Sequence, residues 1–484
     1  MVLVIGLGKT GVSCVRYLTS RGVPLIVTDS RAAPPGLAAL RALGGARGAA
    51  TGALDLRLGG FDLSALEGAS EVVLSPGVSP AEPIVLAARR RRIPVLGDIE
   101  LFARAVAAPV IGVTGTNGKS TVTSLLAHMA ATAGRRVLAG GNLGEPALDL
   151  LEQPTPDLYV LELSSFQLEI TASLAPVAAA VLNVSPDHLD RYASIEDYAR
   201  AKARILEHAA TAVLNADDPR VRAMAVLAPG RVLTFSLARD AAESGADFTL
   251  ARHAGGESWL VAHGRPVLPL SALKIQGLHN AANALAALAL GEAAGLPLAA
   301  MSRALESFAG LAHRSVRVAE VGGVSYVDDS KGTNVGATLA AVAGFDGPLI
   351  LIAGGEGKGQ DFAPLAPAFR GKVRHVVLIG KDADALEAAL TGVSTLERAP
   401  TLEAAVAAAA RAARPGDTVL LSPACASLDM FRDYAQRGEV FARAVRALAG
   451  NASQSGTAPQ SGTAPPSGTA PPSGKVPPSG KVPR

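Results

Sequence analysis

Cysteine is nearly missing from this chain. Cys14 and Cys425 are the only two among 484 residues and stand far apart, which excludes a disulfide framework and suits a reducing cytoplasm. Charge is sparse as well: Asp, Glu, Lys and Arg make up 18% of the residues against 49% hydrophobic. That is the balance of a well-buried soluble protein, too long for one core and expected to divide into two to four domains. The net charge of +3 gives no basis for a nucleic-acid surface, because Lys475, Lys481 and Arg484 crowd the extreme end. Long apolar runs are absent too. The run after Met1 stops at a glycine turn, so no signal peptide is expected. The most apolar stretch, 281–300, is broken by Asn283, Glu292 and Pro297, so no membrane partner is expected.

Glycine is abundant, and its placement carries information. In VIGLGKTG, Gly6, Gly8 and Gly11 take the spacing G-x-G-x-x-G between an apolar strand and a helical stretch, Lys9 to Arg21, and Asp29 ends the next strand, PLIVTD. This is the arrangement of a dinucleotide site. The physics is broader, because a glycine turn feeding a helix N-terminus suits any diphosphate, that of a UDP-sugar included. A nicotinamide dehydrogenase and a UDP-ligand enzyme both remain open at this point.

Short Val/Ile/Leu strands alternate with helical stretches along the whole chain, which predicts an α/β fold. MVLVIG, PLIVTD, EVVLSPG and IPVL form a first domain, 1–97. PVIGVTG opens a middle domain, 98–310, with a helix from Lys119 to Ala133, buried strands LYVLEL and VAAAVLNV, a helix from Ile195 to His208, and antiparallel strands across 231–270. VSYVDDS, PLILIAGG, HVVLIG and DTVLLS form a third, 311–450, closing with an amphipathic stretch from Asp429 to Leu448. Serines at 455, 461, 467, 473 and 479 then mark a six-residue Pro/Gly/Ser repeat, so 451–484 is expected to be a disordered tail.

GVTGTNGKST is a phosphate-binding loop. Gly115, Thr116, Asn117 and Gly118 supply the turn, Lys119 a fixed charge, and Ser120, followed by Thr121, an oxygen for Mg²⁺. The strict pattern wants glycine where Val113 stands. A dehydrogenase has no use for this second, triphosphate-type site. Glu162 and the cluster Asp187, His188, Asp190 follow the next strands, where open α/β sheets place ligands. A non-catalytic nucleotide-binding regulator would keep Lys119 without reason to keep the rest.

GTNGKS, VLELSSFQLE, NVSPDHLDRY, DDSKGTN and LLSPACASLDMF together resemble the Mur ligases of peptidoglycan synthesis, in order and across residues 1–450, and the last resembles the signature of the members that add D-glutamate. The resemblance implies a Rossmann-like UDP-binding domain, a central P-loop ATPase domain and a C-terminal Rossmann-like domain that binds the amino acid. It implies ATP, UDP-N-acetylmuramoyl-L-alanine and D-glutamate as substrates, in a cytoplasmic monomer. Gly8, Lys9, Thr10, Ser30 and Arg31, with the turn Ser75, Pro76, Gly77, would hold the UDP part, and Asn142 and His188 the muramoyl part and its diphosphate. Asn280, Asn283, Arg314 and Asp329 would complete the ATP site. Lys119, His188, Lys202 and Lys331 would carry the chemistry. Thr333, Lys358, Ser427, Leu428 and Tyr434, the last where the family often has Phe, would receive the amino acid. Ser120, Glu162, His188 and Lys202 would surround two Mg²⁺ ions, Lys202 as a CO₂-derived carbamate. Composition alone would put Lys202 on a solvated helix face.

Overall fold

The computed structural model describes residues 1–46, 54–238, 245–252, 256–275, 277–345 and 347–455. The alternation of apolar runs and helices resolves into three sheets. The first is parallel throughout, in the spatial order Leu54–Leu58, Leu25–Asp29, Val2–Ile5, Glu71–Leu74, Val95–Leu96. The chain leaves Val2–Ile5 for one side and later returns on the other. The crevice this creates at the carboxyl ends of Val2–Ile5 and Glu71–Leu74 holds Gly6 to Gly11 and the Ser75–Gly77 turn.

The nine-stranded central sheet places Val110–Thr114 between Leu158–Glu162 and Ala178–Val181. The phosphate loop, Glu162 and the segment leading to His188 therefore leave one end of three adjacent strands. The antiparallel expectation holds for Phe248–Arg252, Ser258–Ala262 and Arg265–Pro269. It fails for Arg231–Phe235, which runs parallel to Thr211–Asn215 because the helix Pro219–Ala223 lies in the crossover between them.

The third sheet runs Val316–Val321, Val324–Asp328, Thr418–Leu421, Leu349–Gly354, Val373–Ile379, Thr395–Arg398, with only the first pair antiparallel. Its three central strands end in DDSK, SPACAS and GGEGK. The last helix is Tyr434–Ser455, later than the Asp429–Leu448 expected, because Asp433 accepts the Gln436 N–H (2.8 Å) and starts the helix there. It continues past Gly450, so residues 451–455 belong to it; the remainder of the expected tail, 456–484, lies outside the described residues. The helix expected from Ile195 to His208 closes at Ala203 and tightens into a 3₁₀ turn, Arg204–Leu206. No helix among the described residues is long and apolar enough to cross a membrane.

Candidate active site

The first crevice is a cavity of about 670 Å³ lined by Gly8, Lys9, Thr10, Ser30, Arg31, Ser75, Pro76 and Gly77, with Asn142 from the central sheet. A Cβ on Gly11 would lie 2.0 Å from the Gly6 carbonyl oxygen, whereas one on Gly8 would meet no atom within 4 Å. Gly11 thus allows the helix to close onto the strand, and Gly8 leaves room for a ligand. Asp29, the acid that would bind a nicotinamide ribose, is already engaged. It accepts the Leu7 N–H (2.7 Å) and the Arg31 guanidinium in bidentate fashion (2.8 and 2.7 Å). The Arg31 hydrogen bonds hold its carboxyl down at about 2. Lys9 reaches across to the Gly144 carbonyl (2.5 Å) and Arg191 to that of Pro76 (3.0 Å), so central-sheet loops close the crevice.

The second cavity, about 320 Å³, lies between the phosphate loop and the third sheet. Asn117, Gly118, Thr121, Asn280, Asn283, Arg314, Asp329 and Lys331 line it. Gly118 has φ +86°, and a Cβ there would strike Asn283 Oδ1 at 2.4 Å, so this glycine lets the helix Leu278–Ala293 approach the loop. Beneath the loop, Lys119 Nζ donates to the carbonyls of Gly115 (2.9 Å) and Thr116 (2.8 Å). Ser120 donates to Glu162 Oε2 (2.5 Å) and Asn142 to Oε1 (2.6 Å), which ties the two cavities together. Lys202 is buried, not solvated, with Nζ donating to the Gly115 carbonyl (2.9 Å) and lying 4.2 Å from the Tyr198 ring centroid.

At the third sheet, Glu356 and Ala426 exchange backbone hydrogen bonds that zip GGEGK to SPACAS. A Cβ on Gly355 would sit 2.1 Å from the Ala426 oxygen. Ser427 is buried, Leu428 is exposed, and Thr333 N–H donates to the Lys331 carbonyl. Lys358 pairs with Asp187 of the central domain at 2.8 Å. Tyr434 stands under Lys331, whose ammonium lies 3.9 Å from the ring centroid, so this ring backs a residue that lines the second cavity.

This geometry has relatives. Residues 1–97 match the Mur ligase MurD-like N-terminal domain, 113–291 the Mur ligase middle domain, and 313–425 the Mur ligase glutamate ligase domain. A protein of Nitrosococcus oceani named UDP-N-acetylmuramoylalanine--D-glutamate ligase is 55% identical over 92% of this chain and 96% of its own. One of the same name from Pseudomonas aeruginosa is 49% identical over 92% and 98%. The chain belongs to the Mur ligase family. Among solved structures, the UDP-N-acetylmuramate-alanine ligase MurC of Thermotoga maritima shares this Mur ligase's fold, with TM-score 0.58, 20% identity and coverage of 92% and 99%. The MurF ligase of the same organism, in complex with ADP, does so with TM-score 0.56, 18% identity and coverage of 80% and 90%.

In this Mur ligase burial sets the charges. It lowers Lys119 and, with Lys119 nearby, carries Lys202 well below the usual lysine range. It brings Lys331 down to about 8, Arg314 and Lys119 adding to the effect. It raises Asp329 to about 7. His188 falls to about 4 through burial, against the opposing pull of Asp187, whose carboxylate lies 3.8 Å away. Burial pushes Glu162 up, but Lys119 and the bonds from Ser120 and Asn142 outweigh it and hold the carboxyl below its ordinary value. Of the four residues expected around Mg²⁺, Ser120 and Glu162 meet directly, while His188 turns to Asp187. Among the described residues no three His, Cys, Asp or Glu side chains cluster to form a metal site unaided.

Sequence reasoning gave no role to Asn183, which exchanges hydrogen bonds with the Asn117 backbone (2.8 and 3.0 Å). It also missed Arg437, fully buried and bonded to the carbonyls of Ser330 (2.8 Å) and Cys425 (3.1 Å), which fixes DDSK against SPACAS. Asn183 stands at a strand end inside a recognised motif, which is a usable signal. Arg437 lies on a helix among other arginines and carries none.

Proposed function

We propose that this Mur ligase joins D-glutamate to UDP-N-acetylmuramoyl-L-alanine at the expense of ATP. A carboxylate is a poor electrophile, so its oxygen first attacks the γ-phosphorus of ATP. ADP leaves, and an acyl phosphate forms. The amine of glutamate then attacks the carbonyl carbon, loses its proton, and inorganic phosphate departs from the tetrahedral intermediate. Such transfers depend on positioning and charge stabilisation. Lys119, Arg314 and Lys331 provide the charge in this reading, with Gly8 to Thr10, Arg31 and Ser75 to Gly77 binding the UDP part. Thr333, Lys358, Ser427 and the Leu428 N–H receive the amino acid. In this reading the enzyme acts in the cytoplasm and as a single chain; one polypeptide lines both cavities.

Ser120 and Glu162, whose side-chain oxygens meet beside the phosphate loop, would hold an Mg²⁺ ion, which would offset the charge of the phosphates. Lys202 suits carbamylation, because its burial favours the uncharged amine that adds to CO₂, and the resulting carboxylate would serve a second ion with His188.

The carrying observation is the meeting of Asn117, Gly118 and Thr121 of the phosphate loop with Arg314 and Lys331 around one cavity, together with 55% identity to a named D-glutamate ligase. Phosphate release is the test, assayed with UDP-N-acetylmuramoyl-L-alanine and D-glutamate, L-glutamate, D-alanine or meso-diaminopimelate. Release that requires D-glutamate is expected. Equal use of D-alanine, or preference for diaminopimelate, would overturn the assignment.

A further inference from the structure

Lys358 is badly placed to bind a substrate by itself. It stands at φ +54°, a conformation few non-glycine residues adopt, with Gly354, Gly355, Gly357 and Gly359 around it. Among the described residues no hydrogen bond or ion pair from this loop or its own sheet reaches the ammonium. Its one ion pair among the described residues comes from the other domain, where Asp187 Oδ1 lies 2.8 Å from Nζ.

Asp187 is itself held. Its backbone neighbour, the His188 N–H, donates to Oδ1 (2.9 Å), and Asn334 Nδ2 donates to Oδ2 (3.2 Å). The Asn334 amide also pairs reciprocally with that of Asn117 in the phosphate loop (3.1 and 3.2 Å), and its oxygen caps the helix Val335–Ala343 through the Ala337 N–H (2.8 Å). The buried carboxylate is thus the junction of a clasp that runs from the nucleotide loop to Lys358. One N–H of the ammonium is taken by Asp187, which leaves further donors for a ligand. A buried ion pair is a poor device for stability alone, since desolvation consumes much of its attraction.

We infer that Asp187 is a positioning residue for amino-acid addition: it holds the Lys358 ammonium ready for a carboxylate of the incoming amino acid, and does so only when the third domain is closed on the phosphate loop. This rests on the proposed role of Lys358.

Initial-rate kinetics on the full chain test this, varying each substrate for wild type, Asp187→Asn, Asp187→Glu, Lys358→Ala and the double variant Asp187→Asn/Lys358→Ala. Asp187→Asn is expected to raise the glutamate KM by about tenfold or more, with the ATP KM within about twofold, and Asp187→Glu to recover part of the loss. In the Lys358→Ala background Asp187→Asn should add less than about twofold, because both act through one contact. A glutamate KM that is unchanged or lower, an ATP KM that rises equally, or effects that multiply in the double variant would overturn the inference while leaving the proposed function standing. A wild type that releases phosphate but does not use glutamate would overturn both.

Discussion

At the scale of single residues, the proposed chemistry rests on lysines whose charge is set by burial. Lys331, brought down to about 8, is protonated below that pH and loses its charge above it. kcat/KM for ATP reports the free enzyme, so it should fall as pH rises past about 8. Lys331→Arg keeps its charge at every such pH and should flatten that limb; a limb unchanged in Lys331→Arg would assign it to another group. Lys202→Ala should be nearly inactive and partly restored by small carboxylates occupying the vacated anion position. A map of the wild type grown with CO₂ and Mg²⁺ that shows no added atoms on Lys202 would count against the carbamate. Lys202 also shows the limit of sequence at this scale. Residue type alone puts it on a solvated helix face, whereas the helix packs so that this side chain points under the phosphate loop. Residue type predicts a solvated lysine and is silent on one that tertiary packing buries.

The elements were easier to anticipate, because strand, glycine turn and helix succeed one another locally. Gly6 to Gly11 and Gly115 to Ser120 both stand at strand-to-helix turns, as their spacing required. The short strands Leu54–Leu58, Val137–Gly141 and Thr395–Arg398 escaped notice, since they lie towards sheet edges and carry few β-branched residues. What the glycines of a fingerprint do individually was also hidden. Gly11→Ala drives a Cβ into the Gly6 carbonyl and should destabilise the chain by about 1–3 kcal/mol, read from the denaturant midpoint. Gly8→Ala should leave that midpoint unchanged and raise KM for the UDP substrate, because its Cβ points into the cavity. The opposite pairing of outcomes would mean the crevice is not the UDP site.

For the whole molecule, the sequence predicted three α/β units but not how they join. Helix Lys9–Ser20 meets the central domain through Ser13 and Arg16 on Asp149 (2.7 and 2.9 Å). One continuous hydrophobic cluster runs from Val2 to Met224 across both. The third sheet keeps clusters of its own. Truncation after Ser455 removes the Pro/Gly/Ser repeat and should leave kcat unchanged, a loss of activity assigning the repeat a function.

The welding of the first two sheets has a thermodynamic consequence. Gly310, His313 and Ser315 all adopt left-handed backbone between the helix Leu298–Ser307 and the strand Val316–Val321, and among the described residues no shared hydrophobic cluster spans that stretch. Heated without ligands, the chain should therefore absorb heat in two steps, not one or three: the third sheet melts alone, and the first and second melt together. Nucleotide, held between the two bodies, should draw the steps toward a single peak.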